Sequence, residues 1–182
     1  MSDYFDLGDH SCPVTTASTE AQTWFDRGLA WCYGFNHEEA VACFERALAA
    51  DPGCAMAVWG IAYAAGPNYN KQWPDFGEEE RPVSLERCRT ESRRALEMSA
   101  NASDLEQALC AALVERYPLE GEDYEAWNDA FAEAMHPVYD KHVDHLDAVT
   151  FYADALMNRT PWALWDLDSR EMAEGASTPE II

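Results

Sequence analysis

The chain has 182 residues, 34 acidic against 12 basic side chains, and a formal net charge of −22. With 48% apolar residues and seven tryptophans, disorder of the whole is excluded and a sizeable core is within reach. The charge excludes nucleic acid and anionic membrane as partners, because each phosphate contact would bring like charges together and release no counterions.

Residues 1–18 are polar and aperiodic and read as an irregular lead-in; the start Met1-Ser2-Asp3-Tyr4-Phe5-Asp6 has neither the basic nor the apolar region of a secretory signal. Thr19 with Gln22 has the spacing of a capping box, which opens a helix whose apolar set is Trp24, Phe25, Gly28, Leu29, Trp31, Cys32 and Phe35, with Gly34 near its end. Asn36 with Glu39 opens a second helix that buries Ala40, Val41, Cys43, Phe44, Ala47 and Leu48 and stops at Asp51-Pro52-Gly53. Two helices so closely joined must be antiparallel neighbours.

The order Trp24, Gly28, Ala40, Phe44, Ala47, Pro52 resembles the tetratricopeptide repeat (TPR), a helix-turn-helix unit of 34 residues. Trp31 stands where a tyrosine is usual and Arg27 where a leucine is usual. The resemblance implies an all-α fold of about seven helices, antiparallel hairpins stacked as a short TPR-like α-solenoid. Further segments, Tyr33 to Ala40, Cys54 to Gly60, Gly66 to Asn70 and Tyr152 to Met157 with Pro161-Trp162, resemble the N-terminal part of larger bacterial proteins with such repeats. That likeness implies a solenoid and transfers no catalytic residue.

A third helix begins near Ala55. From Ala47 to its counterpart Ala95 there are 48 residues against a period of 34, so about 14 are inserted. The insertion is placed at residues 66–81, within a helical domain spanning 19–166. Ser103 with Glu106 caps a helix running through Tyr117; Tyr124, Trp127, Phe131, Ala134 and Val138 mark another, and Val149, Tyr152, Leu156 and Met157 a third. Residues 167–182 form a tail in which Ser177-Thr178-Pro179-Glu180 has the pattern of a helix start, so the expectation is a truncated helix or one completed by another subunit. An uncapped stack leaves apolar surface open, and self-association is expected from it.

Two surfaces are candidates for binding. One is the 67–76 loop, where Asn68 and Asn70 supply amides and Tyr69, Trp73 and Phe76 supply stacking surface; the same aromatics also suit a loop folded onto the stack. The other is the concave face, with Phe25, Leu29 and Tyr33 from the first helix and Trp59 and Tyr63 from the third. It lacks the Lys and Asn pattern that clamps a carboxylate tail, so an apolar or cationic peptide fits better, as does a later helix of the same chain. Such a chain is expected to be an interaction module for a protein or peptide partner. The alternative is a ligand-, metal- or cofactor-binding portion of an enzyme, its site between the loop and the first three helices.

His136, His142 and His145 are the candidate metal ligands, although they straddle a helix end that Asp144 is expected to cap. Cys54, at a helix start where the dipole lowers a thiol pKa, and His37 form a conceivable nucleophile pair. No phosphate-binding glycine loop, dinucleotide fingerprint or G-x-S-x-G occurs, and no cofactor is expected. Six cysteines without a C-x-x-C pair read as buried hydrophobes of a reducing compartment, which places the chain in the cytoplasm.

Overall fold

The computed structural model describes residues 4–182. Seven helices follow one another: α1 Thr19–Tyr33, α2 His37–Ala50, α3 Ala55–Ala65, α4 Glu80–Met98, α5 Asp104–Glu115, α6 Tyr124–Lys141 and α7 Leu146–Met157; a final turn, α8, spans Thr178–Ile181. Among the described residues there is no β-strand, only isolated bridges at Asn68 with Lys71 and Trp165 with Met172. The fold is all-α and TPR-like. No helix among the described residues is long and apolar enough to cross a membrane.

The caps show where local chemistry decides and where tertiary partners do. Ser103 and Glu106 make both bonds of a capping box. At α2, Asn36 accepts the Glu39 amide at 3.3 Å, but the Glu39 carboxylate takes the Tyr4 hydroxyl instead of completing the box. At α1 the cap is Ser18, one residue before the expected Thr19, and its hydroxyl oxygen accepts from Ala21. Gln22 is drawn away to the lead-in, where it accepts from the Val14 amide and donates to the Cys12 carbonyl. One amide thereby satisfies two backbone groups that would otherwise be stranded. His145, not Asp144, caps α7.

Phe44 explains the small residues of the repeat pattern. Its ring fills the space where α1 and α3 cross α2: a Cβ on Gly28 would stand 2.4 Å from the ring, and one on Gly60 2.6 Å. Phe25 meets the same ring with centroids 5.4 Å apart. Arg27 is accommodated at the edge of α1 by lying 4.4 Å over the Tyr4 ring and 4.5 Å over Trp24, a cation-π contact in place of the apolar one that leucine would make.

The pairs α1–α2, α3–α4 and α5–α6 are hairpins, and α7 then turns inward against α1 and α3. Trp59 meets Phe151 at 4.9 Å, Tyr33 donates to Asp147 at 2.6 Å, and Tyr63 donates to Asp154 at 2.7 Å. Side chains of α7, which packs along α6, thus reach across to α1 and α3. Residues 4–18 are irregular but closely docked: Thr15 donates through its amide to Glu106 at 2.7 Å. Burial alone would raise the Glu106 carboxyl, yet the donors of Thr15 and Ser103 hold it below its ordinary range.

The inserted segment runs from 66 to 79 and holds one 3-10 turn at Trp73–Asp75, since Glu80 opens α4 as an acid in its first turn, where the helix dipole favours it. At the C-terminus Ser177 makes no cap; its hydroxyl accepts from Arg159, while Thr178 donates to the Leu164 carbonyl.

Candidate functional site

The turn between α1 and α2 forms one wall of a cavity. Phe35 donates to the Cys32 carbonyl and Asn36 to that of Trp31, the paired bonds of a Schellman ending. The left-handed residue of that motif is usually glycine, but here it is Phe35 at φ 59°, and Gly34 precedes it at φ −83°. Phe35→Gly is expected to raise stability by up to about 1 kcal/mol in urea unfolding, since left-handed backbone costs an L-residue ~1–2 kcal/mol and glycine returns part of that as unfolded-state freedom. A fall of similar size would show that the half-exposed ring contributes packing instead.

The second wall is the end of α3 and the chain after it. Gly66 passes so close to Tyr117 that a Cβ would stand 2.1 Å from the hydroxyl oxygen. Tyr117 donates to the Ala62 carbonyl at 3.1 Å, and Arg116 to the Pro67 carbonyl at 2.9 Å. Asn68 then closes a tight turn: its side-chain oxygen accepts from the amides of Asn70 and Lys71, and two backbone bonds join Asn68 to Lys71.

An amide relay ties this turn to α7. Gln72 donates to the Asn68 carbonyl at 2.6 Å and to the Asn158 side chain at 2.9 Å. Asn128 donates to both Gln72 and Asn158, and Asn158 donates to the Asp154 carboxylate at 3.1 Å. With Tyr63 on its other oxygen, that carboxylate is fixed from two sides.

These walls enclose about 490 Å³, lined by Cys32, Tyr33, Phe35, His37, Tyr63, Pro67, Asn68 and, from α7, Thr150, Ala153, Asp154 and Met157. Both ring nitrogens of His37 are buried without a hydrogen-bond partner. Burial pushes its pKa down, partly offset by Asp154 and reinforced by Arg116, which keeps the ring neutral. Asp154 has no ion-pair partner within 4 Å among the described residues. Aromatic faces, a neutral imidazole and a fixed carboxylate can together take a cation that also carries apolar stem.

The expected site residues separate into two groups. Tyr33, Tyr63 and Asn68 line this cavity. Phe25, Leu29, Trp59 and Trp73 are at most 2% exposed, so they are core residues and present no surface to a partner. Trp73 in particular packs on Phe76, Tyr117 and Tyr124, which folds the loop onto the stack. Tyr69 packs against Trp162 with centroids 5.3 Å apart, and Asn70 borders a neighbouring hollow beside Lys71 and Glu80.

Cys54 is fully buried and lies outside the cavity lining. Desolvation pushes its thiol up, against the downward pull of the helix start, so it lacks the activation that a nucleophile paired with His37 would need. Phe35, Asp154 and the relay through Gln72, Asn128 and Asn158 escaped the sequence reading. The one visible signal was a lone carboxylate in the apolar run from Phe151 to Met157.

No curated protein and no solved structure matches the chain. One family model does, the tetratricopeptide repeat, over residues 21–54, a kind of repeat that in general mediates protein-protein interaction through stacked surfaces. The α1–α2 hairpin with the turn into α3 thus matches a tetratricopeptide repeat, and the later helices continue it as a TPR-like helical stack.

Proposed function

We propose that this chain is a helical-repeat interaction module that holds a protein partner by one basic side chain inserted between Tyr33, Phe35, Tyr63 and Asp154. The observation that carries the reading is the Asp154 carboxylate, oriented by Tyr63 and Asn158 and without a direct ion-pair partner within 4 Å among the described residues, in an aromatic-walled cavity of about 490 Å³. The net charge of −22 supports it, since an acidic surface steers basic partners inward and repels acidic ones. His37 adds an acceptor nitrogen for a guanidinium or ammonium hydrogen. Asn68 sets the width of the mouth through its turn, while Phe25, Leu29, Trp59 and Trp73 serve by holding the walls.

Blocked tripeptides test this by calorimetry: Gly-Arg-Gly and Gly-Lys-Gly are expected to bind, Gly-Leu-Gly and Gly-Glu-Gly not. Thr150→Trp, at an exposed position on the rim, is expected to plug the cavity and abolish binding with the fold intact. Asp154→Asn is expected to weaken it about 10–150-fold, the ~1.5–3 kcal/mol of a hydrogen bond to a charged group. Equal binding of the leucine and arginine peptides, or indifference to Thr150→Trp, would discard the reading.

A further inference from the structure

A second constellation adjoins that cavity on the other side of Tyr33. We propose that Cys12, His145 and Asp147 form a site for a divalent transition metal of the zinc class. Each offers a ligand atom, sulfur, imidazole nitrogen and carboxylate oxygen, and these atoms all lie within 4.8 Å of one another. Around a tetrahedral zinc with bonds of about 2.0–2.3 Å, ligand atoms stand roughly 3.5 Å apart, so side-chain adjustments of about an ångström bring the three into coordination. Sulfur, nitrogen and oxygen together select zinc or cobalt over magnesium or calcium.

The ligands are already held from outside. Tyr33 donates to Asp147 Oδ1 at 2.6 Å, and His10 Nε2 lies 2.9 Å from the same oxygen, which leaves Oδ2 to face a metal. Carboxylate ligands oriented in this way are the ordinary pattern of built sites. The Cys12 backbone is fixed through its amide to Asp26 at 3.0 Å and through its carbonyl to Gln22 at 2.8 Å. His145 Nδ1 accepts a long 3.4 Å cap contact from the Ala148 amide, which coordination through that nitrogen would displace.

Charge and space are consistent with a cation. A thiolate and a carboxylate neutralise a divalent ion, and both anions sit at the amide end of α7, where the dipole favours them. On binding, the Cys12 S–H proton leaves to solvent as the metal-sulfur bond forms, with no change of oxidation state. Cys12 and His145 border a hollow of about 320 Å³ together with His142, whose Nε2 is buried without a partner. His10 is partly exposed beside Asp147, and a water completes the fourth position in such sites. Of the three histidines expected as metal candidates, His136 does not join: it lies over Tyr152, within 4.0 Å of Asp140 and Glu180.

The test is a titration of the reduced, metal-free full chain with Co2+, followed by absorbance, and then competition with Zn2+. One equivalent of cobalt is expected to give a thiolate-to-metal charge-transfer band and the intense visible absorption of a tetrahedral centre, both removed by zinc. Cys12→Ser is expected to abolish the charge-transfer band. His145→Gln, which retains a cap acceptor, is expected to keep the band but weaken binding about 10–100-fold, and it serves where the Cys12 variant does not fold. No band in the wild-type chain, or a band that survives Cys12→Ser in a folded protein, would overturn the proposal, since five other cysteines are present to produce it.

Discussion

Phe44→Ala is expected to cost about 3–5 kcal/mol of folding stability, the range for removing a buried phenylalanine, with the value near the upper end. The cost of such a cavity depends on how well neighbours collapse into it, and here Gly28 and Gly60 face the ring with no side chains to move. The gap would be walled by backbone on two sides. For a chain whose total stability is of order 5–15 kcal/mol, such a loss brings it near the edge of folding at ordinary temperature. Urea denaturation followed by circular dichroism measures it; a loss under about 1.5 kcal/mol would mean that α1 and α3 close on each other after all.

Arg116→Met is expected to destabilise by about 3 kcal/mol although it removes a buried charge. Arg116 is 1% exposed, its guanidinium lies 4.8 Å over Phe131, and it donates to the Pro67 carbonyl. Burial opposes the charged form, but Tyr117, Asp154 and Tyr63 outweigh that and hold the group firmly protonated. Arg116 and Asp154 make no direct ion pair, but their charges interact at longer range, and removing one of two interacting buried charges leaves the other less compensated, a loss of ~3–5 kcal/mol where the two are in contact. Asp154 is only half-buried, so the lower end applies. Adding Asp154→Asn in the same chain is expected to recover at least about 1 kcal/mol in a double-mutant cycle; strict additivity would show that the two groups do not interact.

The hairpin architecture was legible because its signals are local. Gly28, Ala40, Phe44, Ala47 and Pro52 are spaced by the repeat itself, and the caps at Asn36 and Ser103 lie within four residues of the groups they satisfy. The positions that went astray answer to distant partners. Gln22 left its cap for Cys12 and Val14, and Trp73 left the surface for Tyr117 and Tyr124. For the cavity, the aromatics Tyr33 and Tyr63 were visible, while Asp154 was one carboxylate among 34 acidic residues until α7 was seen to turn back. The Cys12, His145 and Asp147 cluster joins the two ends of the chain and leaves no spacing to read.

The inward seating of α7 has a consequence for how the chain gains and loses order. A stack in which each unit touches only the next can unzip from either end. Here the bonds from His10 and Tyr33 to Asp147 span 137 and 114 residues, so the first and last long helices stand or fall together. The loop entropy of that closure must be met before its contacts reward it, so the closure is expected to form late. The chain is accordingly expected to melt in one cooperative transition; two separated transitions in calorimetry would show that the helices at its two ends unfold independently.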